Sequence, residues 1–342
     1  MRSVGGFLNR LPIVEPFTLM KADDRLRVGN WILFGRFRTK IMSKRIDLFL
    51  GFLVAVLWGG NFAVIELGLR DLDPFVLTFL RFAFCAFPLV FFIERPRNVS
   101  LINIALYGVI FGVGLWWVVN FAMHSGLSAG LSSVFLQFSA FFTILLSCLF
   151  LGEKINRVHL SGMIVAFAGL VMIICFSEGV STMKGIFLII VAVLSWAVCN
   201  VIVKLTRPAD MIAFIVWSSL FSAPAVLVMT VCVKGWGSIA SIPGDITMGS
   251  AFSVLFQAYI TTVIGYMVWN NLMKKYSAAE VAPLSLFVPV SGVVTSYLFL
   301  GERLSYQQLA SVVVVVFGIF IFLNSSRIIN LAGFRESVEV EK

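Results

Sequence analysis

The chain has 342 residues, of which 60% are hydrophobic and 13% charged, and its mean hydropathy is +1.00. A typical soluble domain has roughly 25% charged residues, so this composition excludes a water-soluble fold. The formal net charge is +9, but ten of the 26 Lys and Arg residues lie in residues 1–45 and the others fall mostly in loops between apolar runs, which excludes a nucleic-acid partner.

The first 45 residues are polar and basic, and prolines at 12 and 16 interrupt them. They contain no apolar run long enough to cross a membrane, and they lack the compact apolar region and small-residue cleavage site of a signal peptide. Met42 is followed by Ser-Lys-Arg and then by the first apolar run, so a translation start at Met42 is one interpretation. The other is a basic cytoplasmic arm near anionic lipid.

Ten apolar runs of about 20 residues follow, and each can cross a hydrocarbon core of roughly 30 Å as a helix. Isolated strands would leave backbone N–H and C=O groups unpaired in lipid, and the runs lack the alternation of a membrane barrel. Five cysteines lie within the runs without CxxC spacing, and we interpret them as reduced packing residues. The predicted spans are 46–66, 74–93, 101–123, 129–150, 158–176, 185–203, 211–233, 248–271, 278–299 and 306–325.

Basic residues are unequally distributed between alternate loops. With the N-terminus inside, eleven Lys and Arg lie in the cytoplasmic loops and in the C-terminal tail, residues 326–342, and four lie in the opposite loops. The eleven are Arg95, Arg97, Lys154, Arg157, Lys204, Arg207, Lys274, Lys275, Arg327, Arg335 and Lys342, and the four are Arg70, Lys184, Lys234 and Arg303. The positive-inside rule therefore predicts that both termini are cytoplasmic.

The sequence repeats itself with an offset of 149 residues. Leu-Phe-Leu-Gly-Glu-Lys at 149–154 matches Leu-Phe-Leu-Gly-Glu-Arg at 298–303, and the same offset pairs Gly169 with Gly318. The chain is therefore predicted to contain two related halves.

A second offset, near 138, relates the segment that ends at Trp58 to the segment that ends at Trp196. The halves are then 46–176 and 184–325, with five helices each. Because five is an odd number, the second half must begin on the opposite face of the membrane. The predicted fold class is an all-α polytopic membrane protein whose ten transmembrane helices form a 5+5 inverted-topology repeat, a design in which a central site opens to either side.

Short motifs recur along these helices. They are Leu-Trp-Gly-Gly-Asn-Phe at 57–62, Phe-Leu-Arg-Phe at 79–82, the two Leu-Gly-Glu turns, and Val-Ala-Pro-Leu at 281–284 with Pro289. In these motifs the chain resembles the EamA family of the drug/metabolite transporter (DMT) superfamily over nearly all of 43–325. Through Gly265-Tyr266 with Trp269, and through the segment 282–290, it is most similar to EamA-type exporters of cysteine and O-acetylserine.

The resemblance implies a multi-pass protein of the bacterial inner membrane that exports small polar, amino-acid-type metabolites by alternating access. An importer or exchanger of another metabolite, such as a nucleotide-like compound, is the alternative, and a non-transporting membrane scaffold is the second. The resemblance also implies a central cavity lined by helices 1, 3, 4, 6, 8 and 9, with helices 5 and 10 at the periphery.

Polar and amphipathic residues concentrate in the six helices of the implied cavity. Each of them could instead connect a helix pair, and a Trp near a span end could belong to an interfacial belt. The candidates for the substrate cavity are Trp58, Asn61, Trp116, Trp117, Asn120, Gln137, Ser139, Thr143, Trp196, Asn200, Tyr266, Trp269, Asn270, Ser285, Ser291 and Thr295.

Arg81 and Glu66 are the charged residues predicted inside the membrane. Arg81 lies seven residues beyond Pro74, about 10 Å into the membrane at 1.5 Å per residue, where an unpaired arginine costs at least about 2.5 kcal/mol. It could bind a substrate carboxylate through two parallel hydrogen bonds. The structural alternative, which the sequence favours, is pairing with Glu66 or with carbonyl groups at a helix end.

Glycine and proline residues in the spans suggest hinges, and the candidates are Gly59, Gly60, Pro283 and Pro289. Close helix packing through small residues is the alternative for the glycines. No Walker loop, catalytic triad or His pair on one face is present in the sequence, which predicts a protein that is not an enzyme and has no cofactor and no metal site. Transport would then be driven by the substrate gradient or by protons, with Glu66 as the candidate proton carrier.

Overall fold

The computed structural model describes residues 44–151, 157–176, 182–276, 281–325 and 328–329. Within these ranges all regular structure is helical. Nine of the helices in them are long and apolar enough to cross a membrane, and a tenth apolar helix, Leu284–Leu300, is shorter. These ten helices match the ten predicted spans, so the predicted fold class is confirmed. The predicted N-terminal segment and nearly all of the tail lie outside the described residues.

The helices are named α1 to α10 in chain order. The first half contains α1 Lys44–Leu69, α2 Pro74–Ala86 with a 3₁₀ turn at Leu89–Phe91, α3 Leu101–His124, α4 with segments Ala129–Leu136 and Ser139–Leu151, and α5 Arg157–Cys175. The second half contains α6 Met183–Thr206, α7 Met211–Lys234, α8 with segments Met248–Leu255, Phe256–Ile264 and Gly265–Lys275, α9 with segments Ala282–Leu286, Phe287–Thr295 and Ser296–Leu300, and α10 Tyr306–Leu323.

Capping side chains define where equivalent helices begin. The Asp73 carboxylate accepts the backbone N–H of Phe75 at the start of α2. At the start of α7, Asp210 accepts the backbone N–H groups of Ile212 and Ala213. An N-terminal aspartate satisfies donors that have no partner inside the helix. The two caps are 137 residues apart and therefore align α2 with α7.

The contacts between the halves occur in matched pairs. Helix α1 packs against α8 and α9, and its equivalent in the second half, α6, packs against α3 and α4. Helix α3 contacts α7, as α8 contacts α2. The remaining major contacts join a helix to its own equivalent, α2 to α7, α4 to α9 and α5 to α10. This exchange of partners is what a two-fold axis between two repeats produces, and five crossings in each half give the repeats opposite orientations.

Small residues let α5 and α10 approach closely. A Cβ added to Gly162 would lie 2.6 Å from the backbone nitrogen of Phe322, and one added to Gly318 would lie 2.4 Å from that of Ala166. Gly169, which the repeat pairs with Gly318, is in the same interface. Close backbone approach is how helices associate in lipid, where burial of apolar surface gives little driving force.

Polar groups join the helix ends at both faces of the bundle. At the face where α1 begins, Asp47 forms an ion pair with Lys275 and accepts the Tyr276 hydroxyl at 2.6 Å. The bond to Asp47 raises the pKa of the Lys275 ammonium group. At the other face, Lys234 forms an ion pair with Asp73 at 2.9 Å. These pairs hold the ends of α1 and α8, and of α2 and α7, at fixed positions.

Candidate functional site

The two helices that flank the centre of the bundle, α3 and α8, contain wide π-helical segments. They are Ile110–Trp117 in α3 and Phe256–Ile264 in α8, at equivalent positions of the two halves. A π segment hydrogen-bonds from residue i to residue i+5, which is less favourable than the α-helical pattern and occurs often at functional sites. Matched segments of this kind indicate that the irregularity belongs to the repeat.

Helices α4 and α9 are also irregular at equivalent positions. Helix α4 is interrupted between Ala129–Leu136 and Ser139–Leu151, and α9 begins with the 3₁₀ segment Ala282–Leu286. The offset of 149 aligns the break in α4 with the end of that 3₁₀ segment. In transporters, interrupted helices supply backbone groups to the central site.

A hydrogen bond joins the two interruptions. The Gln137 amide Nε2 donates to the backbone carbonyl of Ser285 at 2.8 Å, across the boundary between the halves. In an α-helix this carbonyl would accept the N–H of the residue four positions later, which is Pro289 and has no N–H. Here it accepts the Phe287 N–H at the end of the 3₁₀ segment and the Gln137 amide from the other half.

Arg81 lies in the interior between α2, α3 and α8. Its side chain is 1% exposed. One guanidinium nitrogen, Nη2, donates to the hydroxyl of Thr262 at 3.1 Å, and Nη1 donates to the amide oxygen of Gln257 at 3.4 Å. The guanidinium carbon lies 3.7 Å from the ring centroid of Trp116, within the range of a cation–π contact. Neutral groups therefore surround a buried cation.

The expected pairing of Arg81 with Glu66 is wrong. Glu66 is half-buried near the end of α1 and lines a separate cavity of about 360 Å³ together with Glu302 and Arg303. Glu66 lies three residues before the end of α1 and Arg81 seven residues after the start of α2, and position along a helix does not determine which side of the helix a residue faces. Arg81 faces α3 and α8, where Gln257 is, instead of the end of α1.

An aromatic cluster joins α1 to α8 next to this region. The Trp58 indole N–H donates to the backbone carbonyl of Thr261 in the π segment at 2.8 Å. Its ring centroid lies 5.4 Å from that of Tyr266 and 5.2 Å from that of Trp269. A Cβ on Gly265 would lie 2.7 Å from the indole nitrogen, so glycine allows the indole to approach. The structure places Trp269 in this cluster, against Trp58.

Two candidate asparagines, one in α1 and one in α3, are buried in helix contacts. Asn61 accepts the Thr261 hydroxyl at 3.4 Å and is 2% exposed. Asn120 is fully buried, and its amide donates to the hydroxyl of Thr78 at 2.8 Å. Thr78 lies one helical turn before Arg81, so Thr78 and Asn120 lie beside the polar groups around Arg81. We call these residues the polar layer: Thr78, Arg81, Asn120, Gln257 and Thr262.

The candidates on the other side of the bundle make different contacts. The Asn200 amide donates to the Thr143 hydroxyl at 3.0 Å, which joins α6 to α4. Trp196 is half-buried and packs against the apolar core. The Ser291 hydroxyl donates to the backbone carbonyl of Phe287 in its own helix. The two halves thus share a backbone plan but differ in the side chains at its centre.

Three other candidates lie apart from Arg81 or have side chains outside the described part. Trp117 packs on Phe75 with ring centroids 4.8 Å apart, whereas its neighbour Trp116 stacks on Arg81. Asn270 lies in α8 and Pro283 in the first segment of α9, and the side chains of both are outside the described part of the chain.

The two hinge-candidate glycines, Gly59 and Gly60, lie against α9, and α1 is continuous through both. A Cβ on Gly59 would lie 2.0 Å from the Ser291 hydroxyl and 2.2 Å from the carbonyl oxygen of Val288. A Cβ on Gly60 would lie 3.5 Å from its nearest neighbour, an ordinary contact. The close approach of α1 to α9 is therefore a packing requirement at Gly59.

Three polar residues of α8 around Arg81 and Trp58 were missing from the sequence candidates. They are Gln257, Thr261 and Thr262. Their signal was an amide and two hydroxyls in the middle of an otherwise apolar span, at spacings of four and five residues. Among the described residues, no group of three His, Cys, Asp or Glu side chains could hold a metal ion. The chemistry of this region is therefore hydrogen bonding, stacking and charge.

Known proteins resemble this chain over most of its length. The model of the EamA-like transporter family matches residues 45–175 and 183–324. A probable amino-acid metabolite efflux pump of Salmonella typhimurium is 36% identical over 86% of this chain and 97% of its own length. A protein of the same description from Escherichia coli is 35% identical over 82% of this chain and 95% of its own. A solved crystal structure with 17% identity covers 82% of the chain with a TM-score of 0.53, which shows similarity of fold.

Proposed function

The chain belongs to the EamA-like transporter family, and from this premise we propose that it exports small amino-acid-type metabolites by alternating access as a secondary transporter. The bacterial relatives at 35% and 36% identity, described as probable amino-acid metabolite efflux pumps, support the substrate class. The two proposed repeat units are residues 46–176 and 184–325. Their bounds are close to those of the two segments that the family model matches.

The observation that carries the proposal is the pair of interrupted helices, α4 and α9, joined at their interruptions by the bond from Gln137 to Ser285. An interruption bends more easily than a continuous helix, and here one lies in each half at equivalent positions. If each half adopts the bend of the other, the substrate path between the halves closes on one side of the membrane and opens on the opposite side. Two near-equivalent halves can exchange conformations in this way.

The basic loops support an orientation with both termini in the cytoplasm. With both termini in the cytoplasm, the ion pair between Asp47 and Lys275 lies at the cytoplasmic face, and the cavity beside Glu66 and Glu302 lies at the periplasmic face. Protons are the candidate coupling ion. Glu66 is the candidate carrier because it is half-buried and lines the same cavity as Glu302.

The test is substrate flux in proteoliposomes that contain the purified full chain. Labelled cysteine should enter liposomes preloaded with unlabelled cysteine, in a saturable manner, and an imposed pH gradient should change the flux if protons are coupled. Empty liposomes are the control for leakage. Uptake of a nucleotide-like compound without uptake of any amino acid would replace the proposed substrate class, and absence of flux for both would refute transport.

A further inference from the structure

Arg81 carries a positive charge that no acidic group balances among the residues that the structure describes. A guanidinium stays protonated at neutral pH. The ionisable groups that interact with it electrostatically are the phenol of Tyr266 and the thiol of Cys85, which are uncharged at that pH. Its hydrogen-bond acceptors are an amide oxygen and a hydroxyl. These contacts solvate the charge without neutralising it, which leaves a buried cation in an unfavourable environment.

The same cluster contains two buried donors without an acceptor. They are Nε of Arg81 and the indole Nε1 of the stacked Trp116, and the amide oxygen of Asn120 in the same polar layer also has no partner. Buried polar groups are nearly always hydrogen-bonded, so each exception requires an explanation. The two groups at the cation can only donate, so the partner missing there supplies acceptors. With the adjacent cation, the chemistry that fits is a carboxylate, which guanidinium groups bind through two parallel hydrogen bonds.

Packing of α2 does not explain the arginine. Aligning the two capping aspartates places Ser218 of α7 at the position of Arg81. Ser218 is fully buried at the equivalent place in the second half and carries no charge. The repeat therefore accepts a small neutral residue there, and the first half alone contains the cation.

We propose that Arg81 binds the carboxylate of the transported metabolite and thereby selects carboxylate-bearing substrates over the corresponding amines. This inference rests on the transport function proposed above. Because Arg81 is 1% exposed, the described conformation is closed around it, and the substrate reaches it when α3 separates from α8. The carboxylate then replaces contacts to neutral groups with an ion pair in the interior of the membrane.

The first test uses the unmodified full chain in proteoliposomes. Entry of labelled cysteine is competed with unlabelled cysteine or with cysteamine, which keeps the thiol and the amine and lacks the carboxylate. We expect cysteamine to compete at least about tenfold less well, a difference of about 1.4 kcal/mol. Equal competition by the two compounds would overturn the proposal without affecting the case for transport. Absence of cysteine flux would refute the proposed function and this inference together.

The second test is Gln257→Glu, which places a carboxylate where the amide oxygen lies 3.4 Å from Arg81 Nη1. The protein then contains its own partner for the cation, so we expect membrane abundance and melting temperature at least equal to the wild type. Cysteine flux should nevertheless fall at least about tenfold, since the internal carboxylate competes with that of the substrate. Gln307→Glu, on an exposed position of α10, is the matched control and should transport normally.

A stable Gln257→Glu protein with wild-type cysteine flux would show that the charge of Arg81 is structural, and it would overturn the proposal. If that variant does not accumulate in the membrane, the comparison of cysteine with cysteamine on the unmodified chain decides the question alone.

Discussion

Replacing Gln137 with alanine removes a hydrogen bond between the two halves. The acceptor, the Ser285 carbonyl, lies 2.8 Å from the Gln137 amide, and Pro289 cannot provide the helical N–H in its place. A lost bond of this kind in the interior of a membrane protein costs about 0.5–2 kcal/mol. We therefore expect Gln137→Ala to lower the free energy of unfolding by about 1 kcal/mol.

A double-mutant cycle with Pro289→Ala shows whether the proline is the reason for this bond. Alanine at 289 restores an N–H that can bond to the Ser285 carbonyl, so the loss of Gln137 should matter less in its presence. We expect a coupling free energy of about 0.5–1.5 kcal/mol between the two substitutions. The assay is unfolding of the purified chain by SDS in mixed micelles, followed by tryptophan fluorescence.

The control for this cycle is Gln307→Ala, on an exposed position of α10, which should couple to neither substitution. Strict additivity of Gln137→Ala and Pro289→Ala would contradict the reasoning, because it would mean that the Gln137 amide and the N–H restored at 289 do not compete for the Ser285 carbonyl.

Three further substitutions test the packing and the capping contacts. Gly59→Val places a Cβ 2.0 Å from the Ser291 hydroxyl, so the amount of protein in the membrane should fall sharply. Gly60→Ala is the control and should be tolerated, because its Cβ would lie 3.5 Å from the nearest atom. Equal amounts of the two variants on immunoblots would contradict the packing role of Gly59. Gly162→Leu inserts a side chain against the backbone of α10 and should destabilise the protein by about 1–3 kcal/mol, visible as a lower melting temperature. The Glu302 carboxylate accepts two backbone N–H groups at the start of α4, and Glu302→Gln weakens this cap. We expect the free energy of unfolding in the SDS titration to fall by about 0.5–1 kcal/mol. An unchanged free energy would mean that the cap is unimportant.

The architecture was predictable from the sequence because hydropathy, basic loops and an odd number of helices in each repeat are properties of whole segments. The first span, predicted at 46–66, is the helix Lys44–Leu69, and the other spans agree similarly. The caps at Asp73 and Asp210 also repeat in sequence, although the hydropathy pattern did not indicate them.

The irregular segments could not be predicted, because hydropathy is the same for an α turn and a π turn. Nothing in residues 110–117 or 256–264 indicates i to i+5 bonding, which depends on the helices packed around them. The break at Gln137 contains neither glycine nor proline. Its cause is tertiary, since its amide donates to a main-chain carbonyl of another helix.

Side-chain partners were the least predictable feature. The sequence favoured pairing of Arg81 with Glu66 or with carbonyl groups at a helix end, but the structure directs Arg81 toward Gln257 and Trp116. Trp116 and Trp117 are adjacent in sequence and about 100° apart around a helix, so only one of them reaches the arginine. Single-helix reasoning therefore identified Arg81 and Asn120, but it missed Gln257 and Thr262 and could not give the pairing.

Access to the junction between α4 and α9 from the two sides of the membrane tests the central claim most directly. In a chain whose five native cysteines are replaced, Ser285→Cys keeps the backbone acceptor and adds a reactive thiol at the junction. A membrane-impermeant maleimide is applied to right-side-out and inside-out vesicles, with and without cysteine metabolite analogues that lack a thiol, such as O-acetylserine. Alternating access predicts labelling from both sides, with substrate changing the ratio of the two rates. Labelling from one side only, under every condition, would contradict it.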